Sequence, residues 1–308
     1  MRRAISLGVS LLLLIGVGAL AQDAPMDLDT ALSFFQNDQI VVPYSEEGRA
    51  QLEELILSIK GALGAPEDLD EDSEEAVGAL EIDISLKDAV NKLAQAYYTL
   101  ANVFMTEPDN YAVYRYGKHW AFKSLRMNPE FNDNTGGRLD ESVARETDIA
   151  GMYWLNANWL RSSQENKIAA VFAGVPKKSE LLTNRVLELD PTYIVGGAYR
   201  SFGGYYEQLP SLMGRDIKKA LFYLCHVVDE PAFCSECGAG AMVETAYDYF
   251  ENRTFFAEYY LIPEKEWEDA ARILQGVLDE EIGEMYPLMN DYAQTHAQEL
   301  MDEVNENL

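Results

Sequence analysis

The side chains of this 308-residue sequence that could do chemistry are mainly its three histidines, three cysteines and many acidic residues. The histidines are His119, His226 and His296, and none of them stands in a catalytic or metal-binding motif. The sequence contains no Gly-x-Ser-x-Gly, His-Glu-x-x-His or phosphate-loop pattern, so no nucleophile is placed beside a base and an orienting group. We therefore expect a protein that is not an enzyme and that uses no cofactor.

The cysteines, Cys225, Cys234 and Cys237, have a spacing that favours a structural disulfide. Cys225 ends one predicted helix and the other two precede the next, so a disulfide would close the turn between them. Zinc is less favoured, because adjacent residues such as Cys225 and His226 seldom face one ion together. A redox Cys-x-x-Cys motif normally follows a strand, and none is predicted here. The sequence leaves open whether Cys225 pairs with Cys234 or Cys237, and free thiols are the alternative.

The first 21 residues have the pattern of a secretory signal peptide. A basic start, Met1-Arg-Arg3, precedes an apolar run from Leu7 to Val17, and Ala19-Leu-Ala21 supplies the small residues of a cleavage site. The apolar run is short for a membrane span, and no lipoprotein cysteine follows the cleavage site. We expect cleavage after Ala21 and a periplasmic mature protein in an oxidising compartment.

The charge of the chain argues against nucleic acid as a partner. Its 52 acidic residues outnumber its 24 lysines and arginines, and the formal net charge is −28. Such a charge repels nucleic acid and anionic lipid at long range. We interpret the acidic surface as one that keeps an exported protein soluble.

Two aromatic stretches are better candidates for a binding site. Residues 152–160 read Met-Tyr-Trp-Leu-Asn-Ala-Asn-Trp-Leu, and residues 196–206 read Gly-Gly-Ala-Tyr-Arg-Ser-Phe-Gly-Gly-Tyr-Tyr. A single aromatic side chain is more often part of a core, but buried polar side chains such as Asn158 and Arg200 need partners. Ligand clefts usually hold a few polar anchors in apolar walls, so we predict a cleft in which Arg200 anchors a carboxylate. Its predicted lining residues are Tyr153, Trp154, Asn158, Tyr199, Arg200, Tyr205 and Tyr206.

Helices separated by prolines and glycine pairs must position these residues. Apolar residues recur at helical spacing from Ser85, where a first helical hairpin begins, and strand-like alternation is confined to residues 80–86. Predicted helices end near three prolines, Pro129, Pro191 and Pro231. The spacings between these prolines are 62 and 40 residues, which is longer than the about 34 residues of a tetratricopeptide unit. The predicted fold is all-α, a superhelix of tetratricopeptide-like helical hairpins. Its last predicted helices cover residues 241–260, 263–279 and 284–306.

The chain divides into a signal peptide, an extension and a repeat domain. Residues 1–21 are the signal peptide, residues 22–84 are an N-terminal extension with one helix and an acidic linker, and residues 85–308 are the repeat domain. The linker begins like a calcium-binding loop, but Ser73 and Ala79 stand where such a loop needs glycine and a bidentate acid. We therefore predict a solvated linker and no metal site.

Several ordered segments of the repeat domain carry a resemblance to a known family. They are Tyr153–Trp159, Arg185–Tyr193, Gly196–Arg200, Gly203–Pro210, Gly214–Ala220 and Leu288–Leu300. Together they resemble the T component, TatT, of tripartite ATP-independent periplasmic (TRAP) transporters. The resemblance implies a non-enzymatic periplasmic accessory protein that binds the solute receptor of the importer. It also implies a small ligand, which can be hydrophobic, in a helical cleft or pore, and self-association into a homo-oligomer.

Two other functions are consistent with the residues. One is a generic tetratricopeptide scaffold that binds a partner protein or peptide in its concave groove and holds no small molecule. The weaker one is a hydrolase whose site no motif marks. A small molecule that co-purifies with the protein would favour the transporter function, because the scaffold requires none.

Overall fold

Helices form almost all of the regular structure in the computed structural model, which describes residues 26–131, 139–240 and 242–308. The predicted signal peptide, residues 1–21, lies outside the described residues. Within them, strands are confined to one two-stranded antiparallel hairpin. The prediction of an all-α fold is therefore confirmed, whereas the repeat superhelix stays a prediction.

A group of short elements and one long helix precedes the main domain. They are α1 (Leu28–Leu32), β1 (Phe35–Gln36), β2 (Gln39–Ile40), α2 (Glu46–Ala62) and α3 (Glu74–Gly78). The strands are joined by Asn37 and Asp38, whose φ angles of 49° and 59° are those that a tight two-residue turn requires. Only α2 corresponds to the one helix predicted for this region, because the other elements are too short to show a periodic pattern.

The main domain is built from helices that pack on one another in chain order. They are α4 (Lys87–Val103), α5 (Asn110–Arg126), α6 (Leu139–Arg145), α7 (Ile149–Ser162), α8 (Lys167–Phe172), α9 (Val175–Leu189), α10 (Tyr193–Gln208), α11 (Ile217–Leu224) and α12 (Pro231–Cys234). Helix α4 packs on α5, α5 on α7, α7 on α9, α9 on α10 and α10 on α11. The α4–α5 pair is the predicted first helical hairpin, and the aromatic run of residues 152–160 lies within α7.

The C-terminal part of the chain adds a second group of helices. They are α13 (Phe250–Phe256), α14 (Ile262–Glu264), α15 (Trp267–Asp279) and α16 (Pro287–Asn305), with a π-helical turn at Ala257–Leu261 between α13 and α14. Helices α15 and α16 agree with the predicted segments 263–279 and 284–306. The predicted helix 241–260 begins only at Phe250, because residues 242–249 form turns in which Thr245 has a left-handed φ of 64°.

Two hydrophobic cores meet at α10. The first is formed mainly by α2, α4, α5, α7 and α9, and it buries Leu52, Leu93 and Trp120. The second is formed mainly by α11, α13, α15 and α16, and it buries Phe256 and Leu274. Helix α10 contacts α7 and α9 of the first group and α11 and α13 of the second. Across the described residues, no helix combines the length and the apolar character that crossing a membrane requires.

Helices α5 and α7 approach each other closely at Gly117. A Cβ atom at this position would lie 2.4 Å from Oδ1 of Asn158. Asn158 is fully buried, and its amide group donates to the Ala94 and Trp154 carbonyl groups at 3.1 and 2.9 Å. Asn158 therefore joins α4 to α7 at a point where α5 has room only for glycine.

The acidic linker is held against the main domain at Glu71. The Glu71 carboxylate, 10% exposed, accepts the Tyr97 hydroxyl and the Trp120 indole N–H, both at 2.6 Å. It also forms an ion pair with Lys60 of α2. Donors from α2, α4 and α5 thus meet at one carboxylate, so the prediction of a solvated linker is wrong at this residue.

Candidate functional site

A cavity of about 180 Å³ lies where α7, α8, α10 and α13 meet, at the junction of the two cores. Its apolar lining includes Ala157, Leu160, Val171, Val175 and Leu209. The exposed residues Lys167, Gln208 and Pro210 also line it, so the cavity opens to solvent between α8 and the end of α10. Two wider depressions, of about 500 and 510 Å³, lie on the surface beside residues 80–88 and 123–129 and are open to solvent.

Part of the predicted site lines this cavity, namely Tyr153, Arg200 and Tyr205. The Tyr153 ring lies against Gly197 of α10, where a Cβ atom would be 2.4 Å from the Tyr153 hydroxyl oxygen. The Tyr205 hydroxyl donates to the Pro176 carbonyl at 3.2 Å and so joins α10 to the start of α9. Burial raises the pKa of Tyr205 to about 12, so this hydroxyl stays protonated and acts as a donor.

The predicted residues Trp154 and Asn158 pack α7 against its neighbours and do not line the cavity. Trp154 is 4% exposed, and its ring centroid lies 4.8 Å from that of Tyr153 and 5.4 Å from that of Tyr98. It borders a separate void of about 20 Å³, which is close to the minimum space that one water molecule needs. Both hydrogen bonds of the Asn158 amide nitrogen go to backbone carbonyl groups of α4 and α7.

The predicted residues Tyr199 and Tyr206 are seven residues apart and share one face of α10, which does not line the cavity. The Tyr199 ring stacks on the His226 imidazole, with 4.2 Å between the ring centroids. The Tyr206 hydroxyl donates to Glu180 at 2.9 Å, and its ring lies parallel to the Tyr223 ring at 5.7 Å. The structure does not bring the whole predicted set together, because the face of α10 that carries Tyr199 and Tyr206 is not the face that lines the cavity.

Arg200 is buried, 3% exposed, and its guanidinium is engaged by the protein itself. Its Nη1 donates to the Val195 carbonyl at 2.9 Å and to Asn252 Oδ1 at 2.7 Å. Its Nη2 donates to the Ile194 carbonyl at 3.0 Å, and its Nε lies 3.3 Å from Glu251 Oε2. These contacts use most of the N–H donors of an arginine, so little capacity remains for a ligand.

The same contacts stabilise an uncommon turn at the start of α10. Ile194, Val195 and Gly196 have φ angles of 50°, 52° and 77°. Left-handed backbone is unfavourable for β-branched residues, by about 1–2 kcal/mol for each residue. Because Arg200 binds the carbonyl groups of Ile194 and Val195, it stabilises the turn that begins α10, the helix that lines one side of the cavity.

Arg161 also lines the cavity, although it is not among the predicted site residues. It is half-buried in the last turn of α7, and its electrostatic neighbours are Tyr98, Tyr114, Tyr259 and Tyr292. Burial raises the pKa of Tyr98, and the positive charge of Arg161 acts against that shift. Basic residues are common near helix C-termini, where they complement the helix dipole. Because a basic residue is common at this position, the sequence alone does not indicate that Arg161 lies beside a cavity.

The cysteines form one disulfide and one thiol. Cys225 pairs with Cys234, while Cys237 is half-buried and its thiol donates to the Cys234 carbonyl at 3.1 Å. This pairing is one of the two that the sequence leaves open. All three sulfur atoms lie within 4.8 Å of one another, a spacing that a metal ion could use only if the disulfide were reduced.

One known protein family matches the region of the chain that contains the residues lining the cavity. The sequence model of the family described as TAtT, TRAP transporter T-component, matches residues 85–307, which include α4 to α16. A comparison with curated proteins finds no match. Members of the family are typically extracytoplasmic, and the family suggests a role other than catalysis. Because the match covers well over half of the 308 residues, this chain belongs to the TRAP transporter T-component family.

Proposed function

We propose that this protein is a periplasmic accessory component of a TRAP transporter, which holds a small molecule in its cavity and binds the solute receptor. The observation that carries the proposal is the cavity of about 180 Å³, which lies within the residues that match the family. An apolar cavity of about 150 Å³ is large enough to bind benzene. The volume therefore suits a small organic molecule.

The composition of the walls supports a ligand that is mainly apolar. Ala157, Val175 and Leu209 contribute aliphatic surface from three different parts of the chain. Ser201 and Tyr205 of α10 add hydroxyl groups on one side. Binding sites for small molecules usually combine such apolar walls with a few polar groups that fix the orientation of the ligand.

Exposed apolar side chains beside the opening support a docking surface for the receptor. Ile168 and Phe172 of α8 are 72% and 88% exposed, and Leu212, which follows the end of α10, is fully exposed. Apolar groups that cluster on a surface commonly mark a contact with another protein. A receptor bound over the opening would bury these side chains and would face the bound molecule directly.

The same exposed side chains favour one second function, a helical scaffold for a protein partner without a small ligand. A scaffold needs the surface but not the cavity, so filling the cavity separates the two functions. Self-association, which the family resemblance implies, also stays a prediction. Light scattering of the purified protein would measure its mass in solution.

Two phenylalanine substitutions on α8 test whether the cavity holds a ligand. Ala170→Phe places a ring in the cavity lining, whereas Ala169→Phe adds the same ring at an exposed position one residue away. Native mass spectrometry of the full mature chain, purified from the periplasm, should show a bound small molecule in the wild type and in Ala169→Phe. We expect this molecule to be absent from Ala170→Phe.

Receptor binding is tested separately with Phe172→Ser, which removes an exposed ring beside the opening. We expect this variant to bind the receptor at least about tenfold more weakly, because buried aromatic anchors dominate interfaces, and to keep its small molecule. A wild-type protein that carries no small molecule, but binds the receptor equally well with and without Ala170→Phe, would favour the scaffold. Absence of both the small molecule and receptor binding would contradict the proposal.

A further inference from the structure

The lining of the cavity is positively charged in a chain whose net charge is −28. Among the described lining residues, the cations are Arg161, Lys167 and Arg200, and the one carboxylate is that of Glu251. Arg200 and Glu251 form a buried pair with 3.3 Å between Nε and Oε2, so their charges offset each other. The half-buried Arg161 and the exposed Lys167 leave the lining with a net positive charge.

Arg161 has no carboxylate partner in the part of the chain that the structure describes, since no Asp or Glu oxygen lies within 4.0 Å of its guanidinium. Its neighbours are tyrosine side chains, and two of them, Tyr98 and Tyr259, also line the cavity. Glu258 is close enough to sense the charge of Arg161, but neither oxygen of its carboxylate lies within 4.0 Å of the guanidinium. A partly desolvated guanidinium without an anion is unfavourable, and the cavity is the space from which an anion can reach it.

We propose that Arg161 binds the carboxylate of an amphipathic monocarboxylate, whose apolar body lies against the aliphatic walls of the cavity. A guanidinium binds a carboxylate through parallel N–H···O bonds, which fix the orientation of the ligand. The walls at Ala157, Val175 and Leu209 favour a hydrocarbon body over an inorganic anion. The volume limits this body to about the size of a benzene ring.

Lys167 at the opening adds a second positive charge on the path into the cavity. In a chain that otherwise repels anions, such a charge raises the local concentration of an anionic ligand. Arg161 would then hold the carboxylate where the tyrosine rings exclude water. This assignment of a ligand class rests on the proposed function, and it adds the chemical group of the ligand that the cavity binds.

The experiment compares 3-phenylpropionate with its neutral analogue 3-phenylpropanamide by isothermal titration calorimetry of the full mature chain. The wild type should bind the carboxylate at least about tenfold more tightly than the amide, because hydrogen bonds to charged groups are the stronger ones. Arg161→Gln should remove this preference. Arg272→Gln removes an exposed arginine of α15 that does not line the cavity, and it should keep the preference.

Arg161→Lys shows that a loss of preference does not come from misfolding. It keeps the positive charge without the paired geometry, so an intermediate preference is expected, and circular dichroism checks that each variant is folded. Equal affinity of the wild type for both probes, or an unchanged preference in Arg161→Gln, would overturn the inference and leave the proposed function in place. If neither probe binds, the ligand class is wrong. The proposed function fails as well only if native mass spectrometry also shows no bound molecule.

Discussion

Replacement of Arg200 by methionine should destabilise the protein rather than remove a ligand contact. The substitution keeps most of the length of the side chain but removes its N–H donors. Glu251, which is 7% exposed, loses its counter-charge. The carbonyl groups of Ile194 and Val195 lose the donor that holds the left-handed turn before α10.

The expected loss of stability follows from the burial of this pair. Removal of one partner of a buried ion pair lowers the free energy of unfolding by about 3–5 kcal/mol. For domains of about 150–250 residues, each kcal/mol lowers the melting temperature by about 2–4 °C, so we expect a decrease of roughly 6–20 °C. Adding Glu251→Gln removes the unpaired charge, and the double variant should recover about 0.5–3 kcal/mol relative to Arg200→Met.

Denaturant unfolding followed by circular dichroism measures these free energies, and calorimetric titration measures the ligand affinity of the folded variants. Because the donors of Arg200 are engaged inside the protein, the folded double variant Arg200→Met/Glu251→Gln, which leaves no unpaired carboxylate in the cavity lining, should retain its affinity for ligand. An unchanged free energy of unfolding together with lost ligand binding would refute this reasoning. Arg200 would then be the carboxylate anchor that the sequence predicts.

Two further predictions concern pH and helix packing. Burial lowers the pKa of His226, whose Nε2 accepts the Gly240 N–H at 3.1 Å, so the folded protein holds the neutral imidazole. The neutral imidazole therefore contributes stability above the unfolded pKa of about 6.5, and this contribution is lost as the pH falls toward the lower folded pKa. Thermal melts of His226→Gln should depend less on pH than those of the wild type. Gly117→Ala should lower the free energy of unfolding by about 1–3 kcal/mol, because the added methyl group overpacks the contact with Asn158. Gly276 of α15 has no neighbour within 4 Å of an added Cβ atom, so Gly276→Ala should raise the free energy of unfolding by about 0.5–1 kcal/mol through the better helix propensity of alanine. Equal effects of the two alanines in denaturant unfolding would contradict the packing argument.

The helices of the main domain could be predicted because their apolar residues recur with helical spacing over several turns. The start of α10 could not, since Ile194 and Val195 are poor residues for a left-handed turn and only the contacts of Arg200 explain it. The burial of Glu71 could not be predicted from the sequence either. It stands in an acidic run that has the composition of a solvated segment, but its partners Lys60, Tyr97 and Trp120 come from three different helices.

The candidate site could be predicted in type but not in detail. Polar and aromatic residues of α7 and α10 do border a cavity, yet the side of a helix that faces it depends on how neighbouring helices pack. Tyr153 lines the cavity, while the adjacent Trp154 packs in the first core. Arg161 is a basic residue in the last turn of a helix, which is a common position for one. The sequence therefore does not indicate that tyrosine side chains surround it, and only the structure shows them.

A crystal structure of the protein purified from the periplasm would test the central claim most directly. We predict electron density for a small organic molecule in the cavity between α7, α8 and α10, with an acidic group beside Arg161. Density for ordered water alone, or side chains that close the space, would contradict the claim that this protein carries a small ligand.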